Sequence, residues 1–464
     1  MPPTPRHPGS GTTPAAPALA RLDRAPVPPG DVLIRAAHLV DPRAGLDREA
    51  DLLVRGGEIA EIGDAGALNA PEGTEVVDAE GLHALPAFVD PHVHLRTPGR
   101  EEEEDIDSGT RAAAAGGFCA ILAMPNTDPA VDTASVLTSL RRRAREEGRV
   151  PVGFLAAITR GQAGEQLTEM AELAAEGAVG FTDDGLPVRS AGVLRQALQY
   201  QKLAGLAIAL HEEDPSLSGN GAMHEGAVSA LLGVAGIPAV SESTMVARDA
   251  ALARYEDARI HIQHVSARQT VEAIAEAKAA GVRITAEVTP HHLTLTDEAV
   301  MTLDASFKMN PPLRTEDDRQ ALIEGLRNGT LDCVATDHAP HAREEKEQPF
   351  EAAPMGVTGL ETAFAALHTD LVIPGVIGLD LLVERMTAGG EPFGVPVTTL
   401  APGSQANIAL VDLRAQWEVG EAGYESRSTN CCFAGRRLTG RVRMTVADGS
   451  VVYRERSFAI GAVS

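Results

Sequence analysis

Side chains of metal-binding type recur just past apolar runs in this chain. His92 and His94 follow such a run in "FVDPHVHLRTPGREEEED", an aspartate ends "AVGFTDD", and His211, His264 and Asp337 close "LAIALH", "RIHIQH" and "DCVATD". Residues i and i+2 of a strand point to the same side, so His92 and His94 can turn both imidazoles toward one cation. Imidazole and carboxylate ligands suit zinc, or a related divalent ion such as manganese or cobalt. Each residue alone is weak: a single histidine after an apolar strand is usually held by a backbone carbonyl, and "TDDG" reads as a turn. Their recurrence at five strand ends carries the weight, and it predicts a site for one or two ions per chain.

The elements that must position these residues are legible as alternating strands and helices. Eight apolar stretches read as strands: "HALPAFVD", "CAILAMP", "PVGFLAAI", "AVGFTDD", "LAIALHEE", "RIHIQHVS", "RITAEVTP" and "DCVATDHAP". Amphipathic stretches such as "TASVLTSLRRRAREEG" and "TEDDRQALIEGLRNG" lie between them, several ending in the Gly expected past a helix C-terminus. Eight such units predict an α/β fold, a (β/α)₈ barrel over residues 87–399 with its active site where strands end and loops begin. Residues 31–86 and 400–464 read instead as short strands and turns, with hairpin signals at Gly56 and Gly57 and at Asp448 and Gly449. They predict a small β-sandwich domain made from both chain ends. Residues 1–30, rich in Pro, Ala, Gly and Ser, read as a disordered tail.

Composition excludes several classes of function. A formal net charge of −25 opposes nucleic acid as the main partner. Apolar residues make up 44% of the chain, ample for a globular core, yet no run is long enough to span a membrane and no secretory signal opens it. A cytoplasmic enzyme acting on a small molecule is the expectation. Cys119, Cys333, Cys431 and Cys432 match neither a zinc-finger nor a disulfide spacing and read as buried thiols. His291 and His292 in "TPHHL" sit at the seventh strand end, but a structural role is expected for them. The run Glu101 to Asp105 reads as a solvated loop leading into a helix N-terminus, where acids complement the dipole.

The segments "DPHVHLRTPG", "MPNTDP", "GFTDDG", "LHEED", "IQHVS", "TPHHL", "KMNPPLR" and "ATDHAPH", in that order, resemble the dihydroorotases of bacterial class I type in the amidohydrolase superfamily. The resemblance runs from about Asp31 to the C-terminus and implies a barrel with a small sandwich. It implies His92 and His94 as ligands of a first ion, His211 and His264 of a second, and Asp337 as the remaining ligand and catalytic acid/base. Many amidohydrolases bridge two ions with a carboxylated lysine, absent from "GFTDDG". An aspartate takes that place in this type, and family spacing before His211 selects Asp184. Asp183 would point to the opposite side of a continuing strand.

The resemblance also implies substrate contacts. Arg96 and Asn126 would bind a carboxylate, Arg96 through a charge-assisted fork, while Asn310 and His341 would contact the rest of the molecule. The implied reaction is reversible cyclisation of N-carbamoyl-L-aspartate to L-dihydroorotate in pyrimidine biosynthesis, with zinc as cofactor. A homo-oligomer is expected, and association with aspartate carbamoyltransferase is left open. Two rivals stand beside this reading: a hydantoinase- or allantoinase-type cyclic-amide hydrolase, and a non-catalytic scaffold of aspartate carbamoyltransferase. The missing lysine, with Arg96 and Asn126, weighs against the first, and the full set of candidate ligands weighs against the second.

Overall fold

The computed structural model describes residues 21–456 and 458. Eight parallel strands run in chain order around one sheet: β1 (Phe88–Val93), β2 (Phe118–Ala123), β3 (Val152–Ala156), β4 (Gly180–Phe181), β5 (Ala207–Leu210), β6 (Arg259–Ile262), β7 (Arg283–Val288) and β8 (Cys333–Val334). Just past β8 the chain returns to β1. Val93 bridges His338 in parallel, and the His94 N–H donates to the His338 carbonyl at 2.8 Å. This contact brings the last strand end against the first and completes the barrel expected from the strand count. Six of the eight strands are buried along their whole length, as strands with helices outside and packed side chains inside must be.

The crossover helices include Ile106–Ala115, Ala134–Glu147, Ala191–Ala204, Arg268–Ala279 and Glu316–Asn328. Asp105 caps the first of these, accepting from the Ser108 N–H at 2.8 Å. The longest helix, Val240–Glu256, has no counterpart in the apolar pattern. Its inward face carries Ser241, Glu242, Asp249 and Glu256, all buried, so polar side chains interrupt the periodicity that marks an amphipathic helix. Before it, the stretch "SLSGNGAMHEG" is ordered by a two-stranded ladder, Met223–His224 against Gly236–Ile237.

A second sheet takes strands from both ends of the chain. Its order is Ser450–Arg454, Arg437–Ala447, Ile408–Glu418, His83–Pro86, Val32–Asp41, Leu46–Arg55 and Glu58–Asp64, with Glu75–Asp78 beside Val32–Asp41. His83–Pro86 joins the halves, pairing antiparallel with Ile408–Glu418 and parallel with Val32–Asp41. Side chains from both sides of the sheet, Ile59 of the edge strand Glu58–Asp64 and Met444 of Arg437–Ala447, enter one core with Ile34, Leu52 and Leu410, so the sheet wraps around its own interior. Both predicted hairpin turns are present. Gly56 and Gly57 have φ of +60° and +91°, and Asp448 and Gly449 +46° and +73°, the positive values two-residue turns require.

Two boundaries differ from the sequence reading. "HALPAFVD" is two strands, because His83–Pro86 hydrogen-bonds into the split sheet and only Phe88 onward enters the barrel. Of the segment read as a disordered tail, residues 1–20 lie outside the described residues, whereas Arg21 to Gly30 are laid against the body. Asp23 exchanges two backbone hydrogen bonds of 2.9 Å with Val152 and pairs with Arg141 at 2.6 Å, while Leu22 packs on the barrel core. Leu22 and ion pairs of Asp23 with Arg141 and Arg145 and of Arg24 with Asp448 dock a segment whose composition suggests neither.

Candidate metal centre

His92 lies on β1, His94 just past it, and both project into the barrel mouth as residues i and i+2. Their Nε2 atoms stand 3.5 Å and 3.0 Å from Asp337 Oδ1, beyond β8. Asp184, past β4, occupies the middle of the cluster. Its Oδ1 is 3.4 Å from His92 Nε2, 3.7 Å from His211 Nδ1 and 3.7 Å from His264 Nε2, and its Oδ2 is 3.6 Å from His94 Nε2. Asp183 turns away, accepting from the N–H groups of Ile158 at 2.8 Å and Thr159 at 3.1 Å. The six side chains thus make two lobes, His92, His94 and Asp337 on one side and His211 and His264 on the other, joined by Asp184.

The donor set fits a divalent cation. Glu287, a buried acid next to the last residue of β7, accepts from His92 Nδ1 at 2.6 Å and from His261 Nε2 at 2.9 Å. With its proton on Nδ1, His92 turns the Nε2 lone pair toward the carboxylates of Asp184 and Asp337. His92 Nε2 and Asp184 Oδ1 are buried with no hydrogen-bond partner. Acceptors facing acceptors in a dry site are resolved by a positive ion between them. The electrostatics agree. Burial opposes a charged His92, yet Asp184, Glu287 and Asp337 hold its pKa well above the ordinary range. Burial would raise Asp184 and Asp337, but the surrounding histidines pull both well below it. Burial likewise opposes a charge on His211, and Asp184 and Glu213 push it up to about 9.

His291 and His292 stay outside the cluster. His292 is held by Thr289 Oγ1 at 2.7 Å and the Pro311 carbonyl at 3.0 Å, and burial takes its pKa down to about 3. The four cysteines are buried and free.

A cavity of about 230 Å³ opens onto the cluster, lined by His94, Arg96, Asn126, Asp184, Asn310 and His341 among others. All four expected substrate contacts therefore face the same space as five of the six expected metal ligands, His92 lying behind it. Asn126 bridges His94 Nδ1 at 2.9 Å and Asp184 Oδ2 at 3.2 Å, and Asn310 donates to Glu213 at 2.6 Å. Arg96 is 9% exposed; its Nε donates to the Pro340 carbonyl at 3.0 Å, and its Nη2 stands 3.4 Å from His341 Nε2. Burial and the Arg96 charge bring the His341 pKa down to about 3. Met355 and Gly356 complete one wall. A larger cavity of about 440 Å³, between Arg111, Glu361, Trp417 and Tyr453, includes no histidine in its lining.

Three residues of the site hold left-handed backbone: Arg96 at φ +53°, His264 at +32° and Asp337 at +46°. Such conformations cost about 1–3 kcal/mol each in a residue other than Gly and persist where surroundings enforce them. The chain bends sharply at these strand ends so that the side chains converge.

The reading of Glu101 to Asp105 as solvated is corrected in its centre. Glu103 and Glu104 are both fully buried. Glu104 accepts from His338 Nε2 at 3.1 Å and from the Arg427 N–H at 3.1 Å, and Glu103 faces Arg96 Nε at 3.0 Å. Sequence reasoning also passed over Glu287, whose only signal is an acid inside an otherwise apolar strand, and Glu213, visible in "LHEED" but without an assigned partner.

A family model described as Dihydro-orotase-like matches residues 81–270. The chain is 47% identical to the dihydroorotase of Pelotomaculum thermopropionicum over 426 residues, 92% of this chain and 99% of the relative. It is 46% identical to that of Anaeromyxobacter dehalogenans (strain 2CP-C), over 92% and 98% of the two chains. Among solved structures it is similar to the L-hydantoinase (dihydropyrimidinase) of Arthrobacter aurescens, with TM-score 0.82, 26% identity and coverage of 93% and 98%. It is also similar to the dihydropyrimidinase of Brevibacillus agri NCHU1002, with TM-score 0.80, 25% identity and coverage of 92% and 96%. Fold, cavity and full-length similarity converge, and the chain belongs to the dihydroorotase family.

Proposed function

We propose that the chain is a zinc-dependent dihydroorotase, interconverting N-carbamoyl-L-aspartate and L-dihydroorotate plus water, the ring-closing direction serving pyrimidine biosynthesis. The observation that carries this reading is a buried guanidinium, Arg96, on the wall of a cavity floored by a cation-demanding His/Asp cluster. His92, His94, Asp184, His211, His264 and Asp337 would hold one or two ions. A bound divalent cation supplies Lewis-acid polarisation of a carbonyl oxygen and lowers the pKa of water from about 15.7 toward about 7.

The chain's own residues do the rest. Arg96 binds the substrate carboxylate by charge-assisted hydrogen bonds, joined by Asn126. Asn310 and His341 hold the remaining polar edge and so fix the amide carbon over the cluster. Asp337, anchored by His94 at 3.0 Å, takes the proton of the attacking water and delivers it to the departing ring nitrogen. Water adds across one C–N bond, and the reverse path uses the same residues.

Purified protein supplied with zinc should hydrolyse dihydroorotate, and Asp337→Asn should lower kcat at least about 10³-fold while a bound ion is retained. Near-normal turnover in that variant would remove the assignment. The hydantoinase-like structures favour a second reading, which a hydantoin assay separates: turnover of hydantoin without dihydroorotate would replace this proposal. Self-association, and docking to aspartate carbamoyltransferase, belong to the same proposal and are read by sedimentation of the chain alone and mixed with that enzyme. Among the described residues no helix is long and apolar enough to cross a membrane; a cytoplasmic site of action is part of the proposal.

A further inference from the structure

Five side chains form a closed ring beside the cavity, linking the loop after β1 to the loop after β8. Arg96 Nε stands 3.0 Å from Glu103 Oε2, and Glu103 Oε1 contacts Arg100 Nη2. Arg100 Nη2 lies 2.6 Å from Glu345 Oε1, Glu345 Oε2 lies 3.4 Å from His341 Nδ1, and His341 Nε2 returns to Arg96 Nη2 at 3.4 Å. Glu103 is the hub. It is fully buried, and both its oxygens face guanidinium groups as ion pairs without hydrogen-bond geometry, while His341 Nδ1 lies 3.7 Å from Oε1. Glu103, His341 and Glu345 converge as metal ligands would, but the Arg100 guanidinium already supplies the positive charge between the two acids.

We infer that Glu103 is a positioning residue for substrate binding: through this ring it holds Arg96 in the geometry that receives the substrate carboxylate, and His341 in the geometry that meets the remaining polar edge. The inference rests on the proposed contacts of Arg96 and His341 with substrate. The physical reason is entropy. A guanidinium on a flexible stem loses rotamer freedom when it binds an anion, and a stem already fixed by a buried carboxylate and the Pro340 carbonyl loses less. The ring also contains two cations and two anions, so it orders Arg96 without leaving an unpaired buried charge. It joins the two loops at the barrel's closure, where Val93 and His338 meet.

Position and charge are separable. Glu103→Asp keeps the charge and shortens the reach by one methylene, so a purely electrostatic role predicts unchanged binding. A positioning role predicts a KM for dihydroorotate raised about tenfold, with kcat within threefold at saturating zinc. Glu103→Gln removes an anion near the substrate carboxylate; electrostatics alone would lower KM, whereas loss of the ring raises it. A KM within twofold of wild type in Glu103→Asp, or a lowered KM in Glu103→Gln, overturns the inference. If Glu103→Asp does not accumulate as folded protein, Arg100→Lys carries the test. Arg100 is 41% exposed, and its replacement keeps the charge while removing the planar guanidinium whose Nη2 meets both Glu103 and Glu345. Its KM should rise at least threefold, and a KM within 1.5-fold of wild type overturns the inference. Wild-type protein that fails to turn over dihydroorotate would instead defeat the functional reading.

Discussion

At the scale of single residues, the centre is built from groups whose partners decide their state. Glu287 is the clearest case, since its two oxygens fix the protons of His92 and His261 and its Oε1 also accepts from the His264 N–H at 3.2 Å. Glu287→Gln places an amide N–H₂ where one imidazole must donate. Metal affinity should fall about 10–100-fold in a chelator competition with the fold retained; unchanged affinity would show that the His92 tautomer is fixed by something else. The histidines themselves were legible in the sequence because each interrupts an apolar run at its end, where a buried imidazole needs a reason. Glu287 was not, because one acid inside a strand reads as a solvent-facing position. Glu103 was hidden among like residues: a run of acids is normally solvated, and only tertiary structure brings Arg96 and Arg100 over one member of it.

At the scale of elements, the strands were legible because burial on both faces leaves uninterrupted apolar stretches. Helix Val240–Glu256 was not, because its inward face is charged for a purpose. Glu242, 3% exposed, accepts from the N–H groups of Ser266 at 3.0 Å and Ala267 at 3.2 Å in the loop that follows His264. The helix thereby holds the β6 exit in place. Glu242→Ala leaves two buried N–H donors without acceptors and should cost about 2–4 kcal/mol in a denaturant titration. A loss below about 0.5 kcal/mol would mean that the loop finds other acceptors.

At the scale of the whole molecule, the split sheet was legible because both chain ends carry two-residue hairpin turns between short strands. The docking of Arg21 to Gly30 was not, since Leu22 is its main apolar anchor in a segment of disorder-like composition. Deleting residues 1–30 removes Asp23 and leaves Arg141 unpaired at the edge of the core. Relative to a chain lacking only residues 1–20, that deletion should lower stability by about 3 kcal/mol, measured by thermal or denaturant unfolding. Equal stability of the two truncations would show that the segment only rests on the barrel.

The sheet drawn from both ends also has a consequence in time. Strand Glu58–Asp64 leaves the ribosome about 340 residues before Ile408–Glu418, whose side chains share its core. At about 5–20 residues per second, the N-terminal half of that sheet waits roughly 20–70 s for its partner. During that interval the edge of His83–Pro86 that later pairs with Ile408–Glu418 is unpaired, beside a barrel that is still being made. Nascent chains should therefore pass through a stage in which the barrel's early strands are present, the first sheet is half built, and a chaperone that shields exposed strand edges has its longest opportunity to act.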